Sequence, residues 1–273
     1  MKNIIICGCV RNCEKYIDDV FKNIHIISKY CNLIKIIISF DISNDKSLLK
    51  LCQYKNKFNV DIIINKNKLN SNRVVNITNA RNKYMEHMNN LNEKIDNFIV
   101  MDFDDVCSKP IKEKKLQSIL DDIENKKYNN TAITFSNERY YDFWALSIDE
   151  YIFSIWHTND AINIMREMKH VLFNSLLNCE KYIVVDSAFN GFAIYDYNAF
   201  KNIRYDYKIK LDYFDNNKMQ NFVNKHQITT KNPDCEHRLF HLKAKKNNNT
   251  QVIILKDNIF PPYLGEHASF LYD

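Results

Sequence analysis

The stretch Phe98-Ile99-Val100-Met101-Asp102-Phe103-Asp104-Asp105-Val106 sets four apolar residues directly against three carboxylates. A run that short, apolar on successive positions, suits a strand covered on both faces better than a helix. Three similar runs precede it, Ile4–Val10, Leu33–Phe40 and Val60–Ile64, all rich in isoleucine and valine. Between runs the period changes to that of a helix: Tyr16, Val20, Ile24 and Ile27, then Ile77, Ala80, Tyr84, Met88 and Leu91. The order βαβαβαβ predicts a mainly parallel sheet with helices on its faces. Beyond Pro110 the spacing of Leu116, Ile119, Leu120 and Ile123 predicts one more helix, followed by a strand over Thr131–Ser136. From Arg139 to Trp156 the chain is aromatic and irregular. Strands recur at Tyr182–Asp186, Phe192–Tyr195 and Gln251–Leu255, with a helix over Glu236–Lys246. No linker or repeat interrupts the 273 residues, so one α/β domain is expected.

Ligands of such sheets sit beyond the carboxyl ends of the strands. Those ends carry Arg11, Asp41, Asn65 and the trio Asp102, Asp104 and Asp105. Three carboxylates so close repel one another. A hard divalent cation relieves the repulsion, and an all-oxygen donor set suits Mn²⁺ or Mg²⁺ with positions left for the oxygens of a diphosphate. Asp102-Phe-Asp104-Asp-Val106 also matches the D-x-D-x-[TV] string of haloacid-dehalogenase-type phosphatases, in which Asp102 would be the nucleophile. That string ordinarily opens a chain, and here it follows three β-α units.

Composition narrows the ligand. Three glycines (Gly8, Gly191, Gly265) stand against 38 asparagines, 35 isoleucines and 31 lysines. No two glycines are close enough for a G-x-G-x-x-G turn or a phosphate-binding G-x-x-x-x-G-K-[ST] loop. Asparagine tolerates positive φ and is expected to serve as the turn residue, although such a composition also follows from an AT-biased genome. The net charge of +5 is not concentrated: Lys243–Lys246, three lysines and an alanine, is the densest basic stretch. That excludes a nucleic-acid footprint and favours small anionic ligands. The eight cysteines show no paired C-x-x-C spacing, so reduced thiols and no zinc are expected. No run approaches the ~18–20 residues of a membrane span, and the first apolar run is too short for a signal peptide. The chain reads as a soluble cytoplasmic protein.

Asp41-Ile-Ser-Asn-Asp-Lys-Ser47, Asn79-Ala-Arg-Asn82 and Asp102-Phe-Asp104 occur in an order and spacing that resemble GT-A-fold glycosyltransferases, which use nucleotide-diphosphate sugars. Tyr141-Asp-Phe-Trp-Ala-Leu146, Ser187-Ala-Phe-Asn-Gly-Phe-Ala-Ile-Tyr195 and Asp234-Cys-Glu-His237 look like the subset related to fungal capsule mannosyltransferases. The resemblance implies one Rossmann-like GT-A domain over residues 1–273, with a nucleotide-sugar half (1–110) and an acceptor half (111–273). The implied partners are a nucleotide-sugar donor, UDP-sugar first and GDP-mannose next, and a glycan or glycoconjugate acceptor. The implied roles follow the motifs. Arg11, Asp41, Arg81, Asp102 and Gly191 would hold the nucleotide-sugar. Asp104 would bind the metal with Asp102 and the C-terminal His267, with His237 and His241 as alternatives to the histidine. Trp144 would be an exposed platform for the acceptor, and Asp186 and Asn190 would bind sugar hydroxyls. Glu236, with Asp234 in reserve, would take the acceptor proton in an inverting transfer. A non-catalytic sugar-binding module with the same fold is the remaining alternative.

Overall fold

A computed structural model describes residues 1–66, 69–136, 140–229 and 231–262. Among these residues eight strands form one sheet: β1 (Asn3–Val10), β2 (Asn32–Asp41), β3 (Val60–Asn65), β4 (Asn97–Met101), β5 (Thr131–Phe135), β6 (Tyr182–Val185), β7 (Phe192–Asp196) and β8 (Gln251–Leu255). The order across the sheet is β3-β2-β1-β4-β7-β5-β8-β6. Strands β1 to β4 are parallel neighbours, and β5 pairs β8 in parallel. β7 runs antiparallel between β4 and β5, and β6 closes the far edge antiparallel to β8. The expected single, mainly parallel α/β domain is the fold found.

The helices are α1 (Ile17–Ser28), α2 (Ser47–Tyr54), α3 (Arg73–Asn89), α4 (Glu113–Glu124), α5 (Ala161–Asn178), α6 (Tyr197–Phe200), α7 (Asn216–Lys225) and α8 (Glu236–Asn248). The pleat sends alternate strand residues to opposite faces. Ile4, Ile6, Ile36, Ile38 and Ile99 join Val20, Ile24 and Ile27 of α1 and Leu116 and Ile119 of α4 on one face. Ile5, Cys7, Ile37, Phe98 and Val100 join Tyr84 and Met88 of α3, Met168 and Leu172 of α5 and Phe240 of α8 on the other. Both faces are therefore core, which is why the strands lack a polar alternate position. Each buried aliphatic side chain contributes roughly 1.5–3 kcal/mol.

The C-terminal half is more regular than its sequence suggests. α5 runs for 18 residues and buries Ile164, Met168, Leu172 and Leu176, a stripe spaced four apart. The intervening positions mix polar residues with Met165, Val171 and Phe173, so no clean two-faced pattern marks the helix in the sequence. The expected use of asparagine in turns is present: Asn12, Asn130, Asn190 and Asn249 have positive φ, as do Lys126 and Asp149. Asn249, at φ 52°, is the left-handed cap that ends α8, a place glycine usually takes. None of the described helices is long and apolar enough to cross a membrane.

Candidate functional site

Parallel pairing brings the ends of β1, β2, β3 and β4 to one edge. Asp41 and Asn65 lie opposite each other in register at the ends of β2 and β3. Asn65 donates to Asp41 Oδ1 at 2.6 Å and to Ser39 Oγ at 3.1 Å, and Lys83 Nζ donates to Asn65 Oδ1 at 2.6 Å. Asp41 is thus fixed in direction at the rim. Arg11 leaves β1 exposed to solvent on the same edge.

The loop after β4 is built around its apolar members. Phe103 and Val106 are buried while Asp102, Asp104 and Asp105 are half-buried. Both described glycines make room for this loop. A Cβ on Gly8 would stand 2.3 Å from the Phe103 ring. A Cβ on Gly191 would stand 2.3 Å from Val106 Cγ1 and 2.9 Å from the Tyr141 hydroxyl, and Gly191 has a φ of +84°. Asp102 N and Cys107 Sγ both donate to the Gly191 carbonyl, at 2.9 and 3.1 Å. With Phe103 turned inward, Asp102 and Asp104 turn outward. Val106 N donates to Asp104 Oδ1 at 3.1 Å.

Arg81 organises the interior of the site. It is nine-tenths or more buried, with its guanidinium 5.3 Å from the Phe189 ring centroid and 5.7 Å from that of Tyr205. Its Nε donates to Glu236 Oε1 at 2.9 Å, its Nη1 to the Tyr84 hydroxyl at 3.3 Å, and its Nη2 lies 3.6 Å from Asp102 Oδ1. Residues 155 apart in sequence thus share one buried ion pair. Cys9, at the end of β1, sits within electrostatic reach of Arg81, Asp102, Asp41 and Glu236. Burial pushes its thiol up to about 12, so it is no nucleophile at neutral pH. Nothing in the scattered cysteine spacing singled it out. Its place at the end of a parallel strand was the available signal.

A loop after β5 forms the opposite wall. Tyr141 N donates to Asn190 Oδ1 at 3.2 Å, and the Tyr141 hydroxyl lies 3.5 Å from Asp102 Oδ2. Asn190 Nδ2 in turn donates to the Phe135 carbonyl at 3.2 Å. Asp142 follows Tyr141, and burial pushes its carboxyl up to about 6. The Ala145 N–H and the charges of Arg73 and Arg81 pull it down, while Glu236 pushes it up. Asp142 and Arg73, the first residue of α3, belong to the site's electrostatics and were not singled out from sequence. Position after a strand end and at the start of the helix following β3 marks each of them.

Several expected residues sit elsewhere. Asp186 places both carboxylate oxygens on lysines, Lys218 at 2.8 Å and Lys245. Both oxygens of Asp186 are therefore engaged by cations. Asp234 is fully enclosed and accepts from Arg238 Nε at 2.8 Å, which commits it to the interior. Trp144 is half-buried with its indole N–H enclosed and unpartnered, whereas Trp156 is the exposed tryptophan. His241 bonds Ser187 Oγ at 2.9 Å and the Tyr195 hydroxyl at 3.1 Å, which occupies both ring nitrogens. His237 is stacked on Phe189 with ring centroids 3.7 Å apart. Both His237 ring nitrogens are buried and without a hydrogen-bond partner among the described residues. His267 lies outside the described residues.

The residues after β4 fit a divalent cation. Burial and then the charge on Asp104 push the Asp102 carboxyl up to about 8, against the pull of Arg81. That repulsion is what a cation between two carboxylates removes. Among the described residues no three His, Cys, Asp or Glu side chains gather as a complete cage, so the remaining positions would fall to water or ligand oxygens.

No protein-family model matches the chain, and no curated protein matches its sequence. Solved structures do match its fold. The crystal structure of S. aureus TarS residues 1–349 aligns over 95% of this chain and 59% of that one, at 13% identity and a TM-score of 0.50. The same protein in complex with UDP-GlcNAc aligns over 98% of this chain and 61% of that one, at 14% identity and a TM-score of 0.50. The chain thus spans about three-fifths of the length of the TarS structures that share its fold.

Proposed function

We propose that the chain is a glycosyltransferase that moves a sugar from a nucleoside-diphosphate donor to an acceptor hydroxyl with inversion, assisted by Mn²⁺ or Mg²⁺. One observation carries it. The outward-facing Asp102 and Asp104 and the buried Arg81–Glu236 pair converge on the carboxyl edge of the parallel strands. The fold supports it, being shared with TarS, of which a complex with UDP-GlcNAc has been solved.

In this reaction Asp41, braced by Asn65, and the exposed Arg11 face the nucleoside. Asp102 and Asp104 would hold the cation, which would supply charge neutralisation for the departing diphosphate. Arg81 fixes the direction of Asp102 and holds Glu236 at the start of α8. The Gly191 backbone and Asn190 join the donor loop to the acceptor wall, where Asp142 faces Glu236 across the site. A UDP-sugar is the first donor to test. GDP-mannose is next, through the likeness of the later segments to fungal capsule enzymes. The acceptor is a glycan or glycoconjugate hydroxyl. Residues 1–110 supply the donor side and residues 111–273 the acceptor side.

The test is a thermal-shift series with UDP-GlcNAc, UDP-glucose and GDP-mannose, each with and without Mn²⁺. At least one donor is expected to raise Tm by several degrees, more with Mn²⁺, and Asp104→Ala is expected to abolish the Mn²⁺-dependent part. No shift with any donor in either condition would exclude the function.

A further inference from the structure

Within the transfer just proposed, on which this rests, we infer that Asp142 and not Glu236 accepts the proton of the attacking hydroxyl. Glu236 is already engaged. Its Oε1 takes the Arg81 Nε–H at 2.9 Å, its Oε2 faces Cys235 Sγ at 3.9 Å, and both members of the ion pair are 3–4% exposed. Protonating it would strand the Arg81 charge in the interior, a cost of the size that follows breaking a buried pair. Its task is to hold Arg81, and through Arg81 to hold Asp102.

Asp142 has the opposite arrangement. Its Oδ1 accepts from Ala145 N at 3.1 Å, which fixes the carboxylate plane. Among the described residues no donor is bonded to its Oδ2. The preceding residue spans the site, touching Asn190 through its backbone and Asp102 through its hydroxyl. Asp142 is therefore held on the wall that faces both the cation loop and the start of α8. The charged and titratable groups around it are Arg73 and Arg81 from α3, Cys235 and Glu236 from the start of α8, Asp102 from the β4 loop, and Tyr140 and Tyr141 from its own loop. Burial raises its proton affinity towards the neutral range, where a general base works best.

In the step, the acceptor oxygen bonds to the anomeric carbon as that carbon's bond to the diphosphate oxygen breaks. The bonding pair leaves on the nucleoside diphosphate, and the acceptor proton moves to Asp142 Oδ2. With water as the acceptor the same step releases free sugar, so nucleotide release can be followed without knowing the natural acceptor.

The experiment uses whichever of UDP-GlcNAc or GDP-mannose the wild-type chain binds with Mn²⁺, and reads nucleotide release and thermal shift together. Asp142→Ala and the isosteric Asp142→Asn are expected to lose at least a hundredfold in kcat while keeping the donor-induced shift. Azide, which attacks without giving up a proton, is expected to restore nucleotide release in Asp142→Ala and yield a glycosyl azide. Glu236→Gln is expected to lower kcat/KM and the donor shift together and to gain nothing from azide. Wild-type kcat in Asp142→Asn, or azide rescue of a Glu236 variant instead, overturns the assignment. Failure of the wild type to bind or cleave either donor is a different result, and overturns the transferase function with it.

Discussion

Arg81 is the residue on which most of the site depends, and its partners set a clear expectation. Replacing it with Met leaves the Glu236 carboxylate buried beside apolar rings. The expected cost is about 3–5 kcal/mol in urea unfolding, and Arg81→Met with Glu236→Gln should recover part of it. Gly191 offers a second test. An alanine there meets Val106 at 2.3 Å and must hold a φ of +84°. Gly191→Ala should cost roughly 1–3 kcal/mol, and adding Val106→Ala should relieve the steric part but not the backbone part. The asparagine surplus has a matching meaning at single residues. Where φ is positive this chain uses Asn12, Asn130 and Asn249, and it keeps a glycine at 191, where a neighbour also leaves no room for a side chain.

Among the elements, α8 links the site to the core. Its first residue is Glu236, its middle buries Phe240 and Leu242, and Asn249 closes it in the left-handed conformation. Asn249→Gly should therefore be neutral or slightly stabilising, and Asn249→Val should cost about 1–2 kcal/mol, read from the urea midpoint. This helix and the strands were legible because a short apolar run or a clear apolar spacing marks each. α5 was not, although its four buried residues repeat every four positions. Apolar Met165, Val171 and Phe173 beside the stripe blur the contrast between its two faces, so the spacing stands out only once the core and β6 are there to cover it. The placement of β7 between β4 and β5 was also beyond sequence reading, because pairing between strands of distant sequence depends on which edges remain open after the first four have assembled.

At the scale of the whole molecule the buried ionisable groups oppose one another. His241 is pushed down to about 3 by burial, then by the Arg238 charge, and His237 is lowered by burial, then by Arg81. Both stay neutral in the fold and take a proton when unfolded, so each lowers stability as pH falls below about 6.5. Asp102 and Asp142, raised in the fold, act with the opposite sign and flatten the overall curve. The histidine contribution is isolated by difference. The stability gap between wild type and His241→Gln should narrow by about 1.4 kcal/mol for each pH unit between 6.5 and 4. A gap independent of pH would show that His241 is already charged in the fold. The order of strands and helices in the first hundred residues, the carboxylate loop after β4 and the absence of glycine phosphate loops were all determined by the sequence itself. Each is a local matter of hydrophobic period and residue chemistry. Which carboxylates are engaged and which are open was decided only by the tertiary structure. Glu236 and Asp186 look alike as acids in the chain, yet one meets Arg81 and the other two lysines, while Asp142 keeps an oxygen to spare. Those pairings join residues far apart in sequence, and desolvation with long-range charge sets what each acid can do.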